Sequence, residues 1–462
     1  AAIAAALMVG AVSPSGSGIG GGGFLVYWSA KDRRAYALDF RETAPAALEA
    51  RMFLRDGKAD THLSQRGGLA VGVPGEVAGF REASRRFGRV PWRRLVLPAA
   101  AAARFGFRVT PHTAEDLREV EKEMGTAPGL VRIYSRDGRP LEAAEFLRNP
   151  DLAATLDTIA GDGGESFYRG EVGRRIVRTV RAAGGVMTAA DLARYRPTWR
   201  EPVHGTHHGL DVYSMPPPSS GGAIVLEVLN TLDLLPVDWK HPDAPSTLHF
   251  IGEAEKHAFS DRAVWFGDPG FVRVPLATLT SREHARRLAA LIRAGRTAPA
   301  GAYVHQLPAD SGTTHVSAMD AEGNACGLTS TINTEFGSLL VADGAGIILN
   351  DQMDDFSHPA MVVGGSGGPH IITGTLRVLT CVVDGGLDVG EALTHPRVHH
   401  QWSPDALRLE RGIPASTVER LRAMGHNASY ESPDSAIQAV VAVPGGFRAA
   451  SDPRKGGRAA AW

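Results

Sequence analysis

The chain has 462 residues, 43% of them hydrophobic and 21% charged, and its 49 Lys and Arg nearly cancel its 50 Asp and Glu. This composition can bury a sizeable core and excludes a disordered polypeptide, and without a basic run there is no electrostatic footprint for nucleic acid. Cys326 and Cys381 are the two cysteines, too few for a disulfide framework or a cysteine-rich metal centre.

The opening segment AAIAAALMVGAVSP is too short to span a bilayer and lacks the basic region of a secretory leader. It predicts a buried helix. A chain that begins inside a helix predicts that its natural N-terminus, with any export signal, is missing, so the compartment stays open: periplasmic or secreted if a signal was trimmed, cytoplasmic otherwise. Next comes SGSGIGGGGFLVYW, a glycine loop followed by a strand. Gly18, Gly20 and Gly23 satisfy the spacing G-x-G-x-x-G, but a dinucleotide site needs the glycines after a strand and before a helix. The order here is reversed, which predicts tight backbone packing.

Residues 34–45, RAYALDFRETAP, predict a strand ending at Pro45, and residues 75–195 predict mainly helix. Residues 213–235 predict a proline turn and then a long amphipathic helix, with Ser219 or Ser220 suited to its N-cap. A second helix covers APSTLHFIGEAEKHAFSDRAVWF, and residues 293–312, rich in Pro, Ala and Gly, predict a linker. From residue 313 onward the pattern is of strands: TTHVSAMD, ACGLTSTI, AGIILN, PAMVV, ALRLE and AIQAVVAV. Abundant helices and strands predict an α+β or layered architecture.

TTHVSAMDAEGNACGLTSTIN predicts a hairpin. A turn centred on Glu322 puts Thr331 opposite Thr313, and a slip of one residue would send the two hydroxyls to opposite faces. A free α-amino group titrates at roughly 7.7–8.0 and can act as a base near neutral pH. If the Gly312–Thr313 bond were cut, Thr313 would carry its own base beside its hydroxyl, a known way to activate threonine. The bland reading is that β-branched threonine simply begins a strand.

Several segments occur together in one order: GGGGFLVYW, LDFRETAP, GVPGEVAGF, YSMPPPSSGG, GEAEKHAFSDRAVWFGDP, TTHVSAMDAEGNACGLTSTINTEFG, ILNDQMDDFS, HPRVHHQW and ASDPR. In this combination the chain closely resembles the γ-glutamyltranspeptidase family over its whole length. The resemblance implies the four-layer αββα sandwich of N-terminal nucleophile hydrolases. It also implies a precursor that cuts itself into a large subunit, residues 1–312, and a small subunit, residues 313–462, which stay interlocked. Autocleavage would fall between Gly312 and Thr313. The family's nucleophile falls on Thr313 and its hydroxyl partner on Thr331. The oxyanion glycines fall on Gly367 and Gly368 of GGSGGP.

The residues that hold the glutamyl α-amino group fall on Asn333, Gln352 and Asp355, and the arginine for the α-carboxylate falls on Arg41. Their chemistry suits a zwitterion: a guanidinium fork for a carboxylate, and a carboxylate with two amide oxygens for an ammonium. The resemblance implies γ-glutamyl amides such as glutathione as substrates, water or an amino acid or peptide as acceptor, and no metal or cofactor. Family members carry a further stretch between DDFS and the glycines, with paired serines for the substrate carboxylate; here DDFSHPAMVVGGSGG runs almost directly across. Two alternatives within the family are an acylase with another substrate and an uncut, inactive relative that only binds amino acids or peptides.

A rival enzyme reading takes GGSGG, residues 364–368, as a nucleophile elbow with Ser366, followed by Asp384 or Asp388 and by His395, His399 or His400. Against it, Pro369 follows the elbow and IITGTL is a mediocre helix. The histidines of HGTHHG and RVHHQW show no metal-ligand spacing and predict surface or satisfied core side chains. Asp354 beside Asp355 would point the other way in an extended segment.

Overall fold

A computed structural model describes residues 1–299, 313–356, 370–431, 435–443 and 446–455. In chain order its main elements are α1 (Ala2–Val12), β1 (Gly22–Ser29), β2 (Arg34–Asp39), α2 (Glu76–Phe87), α3 (Trp92–Phe105), α4 (Pro150–Asp162), β3 (Thr198–Arg200), β4 (Val203–His207), β5 (Leu210–Ser214), α5 (Gly221–Leu232), α6 (Pro245–Trp265), β6 (Thr314–Met319), β7 (Ala325–Thr331), α7 (His370–Val383), α8 (Val389–Thr394), β8 (Gln438–Val443) and β9 (Gly446–Ser451).

A five-stranded antiparallel sheet in the order β6-β7-β1-β2-β3 forms the centre. Alternation along the strands sorts its two faces. Leu25, Leu38 and Leu328 point into the main core, where they meet α1, α3 and α4 through Leu7, Val96, Ala99 and Leu156. Phe24, Val26 and Ala37 point the other way. There the hairpin β8–β9 lies against β6, with Ser317 Oγ donating to the Gln438 carbonyl at 2.9 Å. The hairpin β4–β5 lies against β1, with the Trp28 and Tyr213 rings 5.5 Å apart.

Outside these hairpins pack α8 and α7 on one side and α5 on the other. The order of layers is helix, sheet, strand hairpins, helix: an α+β sandwich of αββα type. The sheet draws strands from residues 22–39, 198–200 and 314–331, so the late run of strands completes a sheet begun at the start of the chain.

Several local expectations are corrected. The strand expected over 34–45 stops at Asp39, because the chain turns there: Asp39 accepts a hydrogen bond from the Arg41 N–H at 3.0 Å. AGIILN retains only Ile347–Ile348 as strand. Helix α5 is not amphipathic, since nearly every residue from Gly222 to Leu232 is buried. It is enclosed by the β4–β5 hairpin and by α6 and α7, and a helix covered on all sides loses its polar stripe. Ser220 stands at its N-cap without a capping bond and instead accepts from Arg262 Nε at 2.9 Å. IITGTL lies within the 14-residue helix α7.

The described part of the expected linker is anchored: Lys256 donates to Thr297 Oγ1 at 2.8 Å, and Glu253 accepts from the Ala298 N–H at 2.9 Å. PAMVV and residues 300–312 fall outside the described residues.

Candidate active site

The hairpin β6–β7 pairs Thr314 with Ser330 and His315 with Thr329, so Thr313 lies across from Thr331. Thr313 Oγ1 donates to Thr331 Oγ1 at 3.1 Å. Thr331 ends β7 and is paired on its other side with Gly22 of β1. Its hydroxyl oxygen also accepts from the Asn333 N–H at 2.8 Å. That contact bends the chain so that Asn333 takes φ 81°, a left-handed conformation that asparagine tolerates better than most residues.

From Asn333 the contacts continue. Its Nδ2 donates to the Asp351 carbonyl at 3.2 Å. Asp351 accepts from Thr334 N–H at 3.0 Å and from Thr334 Oγ1 at 2.6 Å, and burial pushes its carboxyl up to about 7. Residues Gln352–Phe356 form a single 3-10 turn. Within it Gln352 Nε2 donates to Asp355. Gln352 Oε1 is buried and has no hydrogen-bond partner among the described residues.

Arg41 reaches the same carboxylate from the other side of the site and forms an ion pair with Asp355. Burial raises the affinity of Asp355 for a proton, against the attraction of the Arg41 guanidinium. Arg41 is held firmly: its carbonyl accepts from Tyr195 Oη at 2.8 Å, and its guanidinium carbon lies 5.6 Å from the Phe24 ring centroid. Asp354 points elsewhere, accepting from Ser64 Oγ at 2.5 Å and Gln65 Nε2 at 3.0 Å. The two carboxylates do diverge, although a 3-10 turn and not an extended segment separates them.

Arg41, Glu42 and Asp355 line a cavity of about 110 Å³, together with Arg196, Arg200 and Asp268. The structure thus brings Thr313, Thr331, Asn333, Gln352, Asp355 and Arg41 into one run of contacts. Gly312, Ser366, Gly367 and Gly368 lie outside the described residues.

Some groups at this site carried no sequence signal of their own. Glu42, beside Arg41, is fully buried, and desolvation pushes its carboxyl up to about 8. Glu76 lies on the opposite face of β7, accepts from Ser330 Oγ, and is likewise pushed up to about 8 by burial. His315 shares a face with Thr313. Its Nδ1 lies 2.8 Å from Thr329 Oγ1 and its Nε2 3.1 Å from Ser317 Oγ. Burial pulls it down to about 4, so it is neutral at pH 7 and joins the sheet to the layer above.

The glycine loop packs as expected. A Cβ on Gly20 would stand 1.9 Å from the Ile348 carbonyl oxygen, and one on Gly23 would stand 2.0 Å from that of Thr329. The loop closes over the ends of these strands, and the start of α2 meets it: the Gly75 and Glu76 N–H groups donate to the Gly21 carbonyl at 2.9 and 3.0 Å, so this helix N-terminus is taken up by the loop's own backbone.

The rival Asp–His pair does not assemble. His395 faces Asp243, Asp388 caps α8, His399 bridges Thr373 and Gln401, and Asp384 faces His207. His399 is the satisfied core histidine expected. His207 is not: the structure gathers it with His208 and Asp233. Three His/carboxylate clusters occur among the described residues, and none includes a residue of the Thr313 site.

Residues 1–361 and 357–462 match the family model described as Gamma-glutamyltranspeptidase. The glutathione hydrolase proenzyme of Escherichia coli K12 is 36% identical, over 98% of this chain and 86% of its own length. This chain belongs to the γ-glutamyltranspeptidase family. Glutathione hydrolase 3 of Arabidopsis thaliana is 34% identical, over 96% of this chain and 76% of its own length.

Among solved structures, cephalosporin acylase from Bacillus halodurans superposes with a TM-score of 0.87 at 25% identity, covering 100% of this chain and 90% of that one. The γ-glutamyltranspeptidase of Helicobacter pylori gives a TM-score of 0.63 at 32% identity, covering 65% and 87%. The αββα fold of N-terminal nucleophile hydrolases is the fold of this member, and the chain is an enzyme of the γ-glutamyltransferase type. Its alignment to the Escherichia coli relative runs over 498 positions, more than its own 462 residues; such an excess fits a relative carrying segments that this chain lacks. Among the described residues no helix is long and apolar enough to cross a membrane.

Proposed function

We propose that this family member cuts itself before Thr313 and then hydrolyses or transfers the γ-glutamyl group of amides such as glutathione. The carrying observation is the continuous run from the Thr313–Thr331 hydroxyl pair, through Asn333 and the Asp351–Gln352 segment, to the Arg41–Asp355 ion pair. It joins a candidate nucleophile to a candidate zwitterion site.

In the first stage Thr313 Oγ attacks the Gly312 carbonyl, the peptide nitrogen leaves as the Thr313 amine, and water hydrolyses the resulting ester. The large and small subunits, 1–312 and 313–462, come from this step. In the second stage the new amine takes the hydroxyl proton, directly or through water, as Oγ attacks the γ-glutamyl carbonyl. Thr331 Oγ1, fixed by the Asn333 N–H, sets the direction of the attacking hydroxyl. The N–H groups near Gly367 and Gly368 would stabilise the oxyanion, and preorganised donors of this kind are worth several kcal/mol. The amine product leaves with the proton, and water or an amino acid then takes the acyl group from Thr313.

Recognition follows from charge. The substrate α-carboxylate pairs with Arg41, and its ammonium pairs with Asp355, Gln352 Oε1 and Asn333. Arg41 and Asp355 are already largely withdrawn from water and paired with each other, so a zwitterion supplies each with an opposite charge at little further desolvation. A second reading, an acylase of the same family, draws on the similarity to the cephalosporin acylase structure and on the shortened segment after DDFS. A glutaryl chain, however, offers no ammonium to Asp355.

Parallel assays with γ-glutamyl and glutaryl p-nitroanilides separate the two. We expect kcat/KM for the γ-glutamyl compound to be higher by at least tenfold. The reverse preference would assign the acylase activity, and no turnover of either would point to the inactive relative.

A further inference from the structure

Away from the Thr313 site, two histidines and two aspartates converge from three separate segments. His207 ends β4, and His208 opens the turn into β5 with φ 48°. Successive strand residues point to opposite faces; the left-handed turn residue swings the second imidazole back beside the first, with ring centroids 4.4 Å apart. Asp233 follows the last residue of α5 and Asp384 the last residue of α7, and helix C-termini favour a cation.

In its neutral form His207 has one tautomer that leaves Nδ1 free. His207 Nε2 lies 3.1 Å from both oxygens of Asp384, which accept its proton. Nδ1 is then a bare lone pair. It lies 2.9 Å from Asp233 Oδ1, yet neither atom has a hydrogen-bond partner among the described residues. The His207 side chain is 2% exposed. Two buried acceptors this close repel unless a proton or a metal cation lies between them. His208 Nε2 completes the group, 3.6 Å from Asp233 Oδ1 and 3.2 Å from Asp384 Oδ1. Ligand atoms around tetrahedral zinc, at bonds of about 2.0–2.1 Å, stand about 3.3 Å apart.

We propose that His207 Nδ1, His208 Nε2 and Asp233 Oδ1 bind a divalent transition-metal ion of the zinc class, with Asp384 orienting His207. Imidazole and carboxylate ligands suit zinc, and a carboxylate accepting from the far nitrogen of a ligand histidine is the usual support of such a site. Arg282, 2.8 Å from Asp233 Oδ2, fixes the carboxylate so that Oδ1 faces inward. Solvent takes the fourth position, since the His208 side chain is 48% exposed. The ion would tie the β4–β5 hairpin to the ends of α5 and α7. With the proposed cut before Thr313 it would also link the two subunits, because Asp384 alone comes from the second, but the site itself does not depend on that cut.

The test uses tag-free full-length protein stripped with a chelator, titrated with Zn²⁺ by calorimetry and with Co²⁺ by visible absorption. We expect one equivalent bound per chain. We expect affinity at least 100-fold weaker in His208→Ala, and about 10–100-fold weaker in Asp384→Asn, with d–d bands retained in the latter. His208 is half-exposed, so its variant stays informative if His207→Ala fails to fold. Absence of saturable binding would overturn the proposal and leave an imidazolium between two carboxylates. Unchanged affinity in His208→Ala would overturn it too, by placing any bound ion elsewhere.

Discussion

Arg41 and Asp355, 314 residues apart in the chain, form a largely buried ion pair at the wall of the candidate substrate cavity. Removing one partner of such a pair leaves a buried charge without compensation and costs about 3–5 kcal/mol, whereas replacing both by apolar side chains is often neutral. The same two groups are assigned to opposite ends of the substrate head group. Stability and binding should therefore respond differently to single and double substitution.

Arg41→Ala and Asp355→Ala are each expected to lower the melting temperature and to raise KM for a γ-glutamyl anilide by about 10–100-fold, the loss of one charge-assisted contact. Both should still cut before Thr313. The double variant Arg41→Met/Asp355→Leu should recover most of the melting temperature and none of the affinity. Equal KM values in parent and Asp355→Ala would remove the head-group assignment.

Thr331→Val keeps the shape of the side chain and deletes its oxygen. Thr313 then loses its acceptor and the Asn333 N–H is left unsatisfied. We expect kcat to fall by about 10–100-fold, the range for one hydrogen bond at a reacting group, with KM little changed and self-cleavage slowed on a time-course gel. A change confined to KM would place Thr331 in binding and not in orientation of the hydroxyl.

The Thr313–Thr331 relationship was legible because a short turn and strict alternation determine a hairpin's register. The same alternation put His315 on that face, but not the buried network that keeps it neutral. Residues such as Gln352 and Asp355 stood out only through the family resemblance, since an isolated polar residue in a turn carries no mark of its function. The pairing of Arg41 with Asp355 was not legible, as it depends on how the 3-10 turn meets the segment after β2. Helix α5 reads as amphipathic because Thr231, Asn230 and Glu227 are polar. In the fold all three are buried, Asn230 and Thr231 bonded to the Thr280 and Glu227 carbonyls. The His207 cluster escaped because its four residues, His207, His208, Asp233 and Asp384, come from three separate segments and show no spacing motif.

Beneath β7, Glu76 is buried with a carboxyl pushed up to about 8, from an ordinary 4.5. Its folded form holds a proton that the unfolded chain releases, so this contribution to stability is complete below pH 4.5 and lost as pH rises through 8. Glu76→Gln carries the neutral group at every pH and keeps an acceptor for Ser330 Oγ. The melting temperature of the variant relative to the parent should rise between pH 5 and pH 9. Glu42, shifted in the same direction, leaves part of the parent's slope in place. A difference independent of pH would show that Glu76 is ionised in the fold.

The central claim is that Thr313 supplies both the attacking oxygen and, once released, the nitrogen that deprotonates it. Intact-protein mass spectrometry of an active preparation tests it most directly, before and after selective acetylation of α-amino groups. The account predicts two polypeptides, one beginning at Thr313, and loss of turnover when that amine is acetylated, while Thr313→Ala stays uncut and inactive. Full activity in a chain continuous through residue 312, or turnover unaffected by acetylation of Thr313, would contradict it.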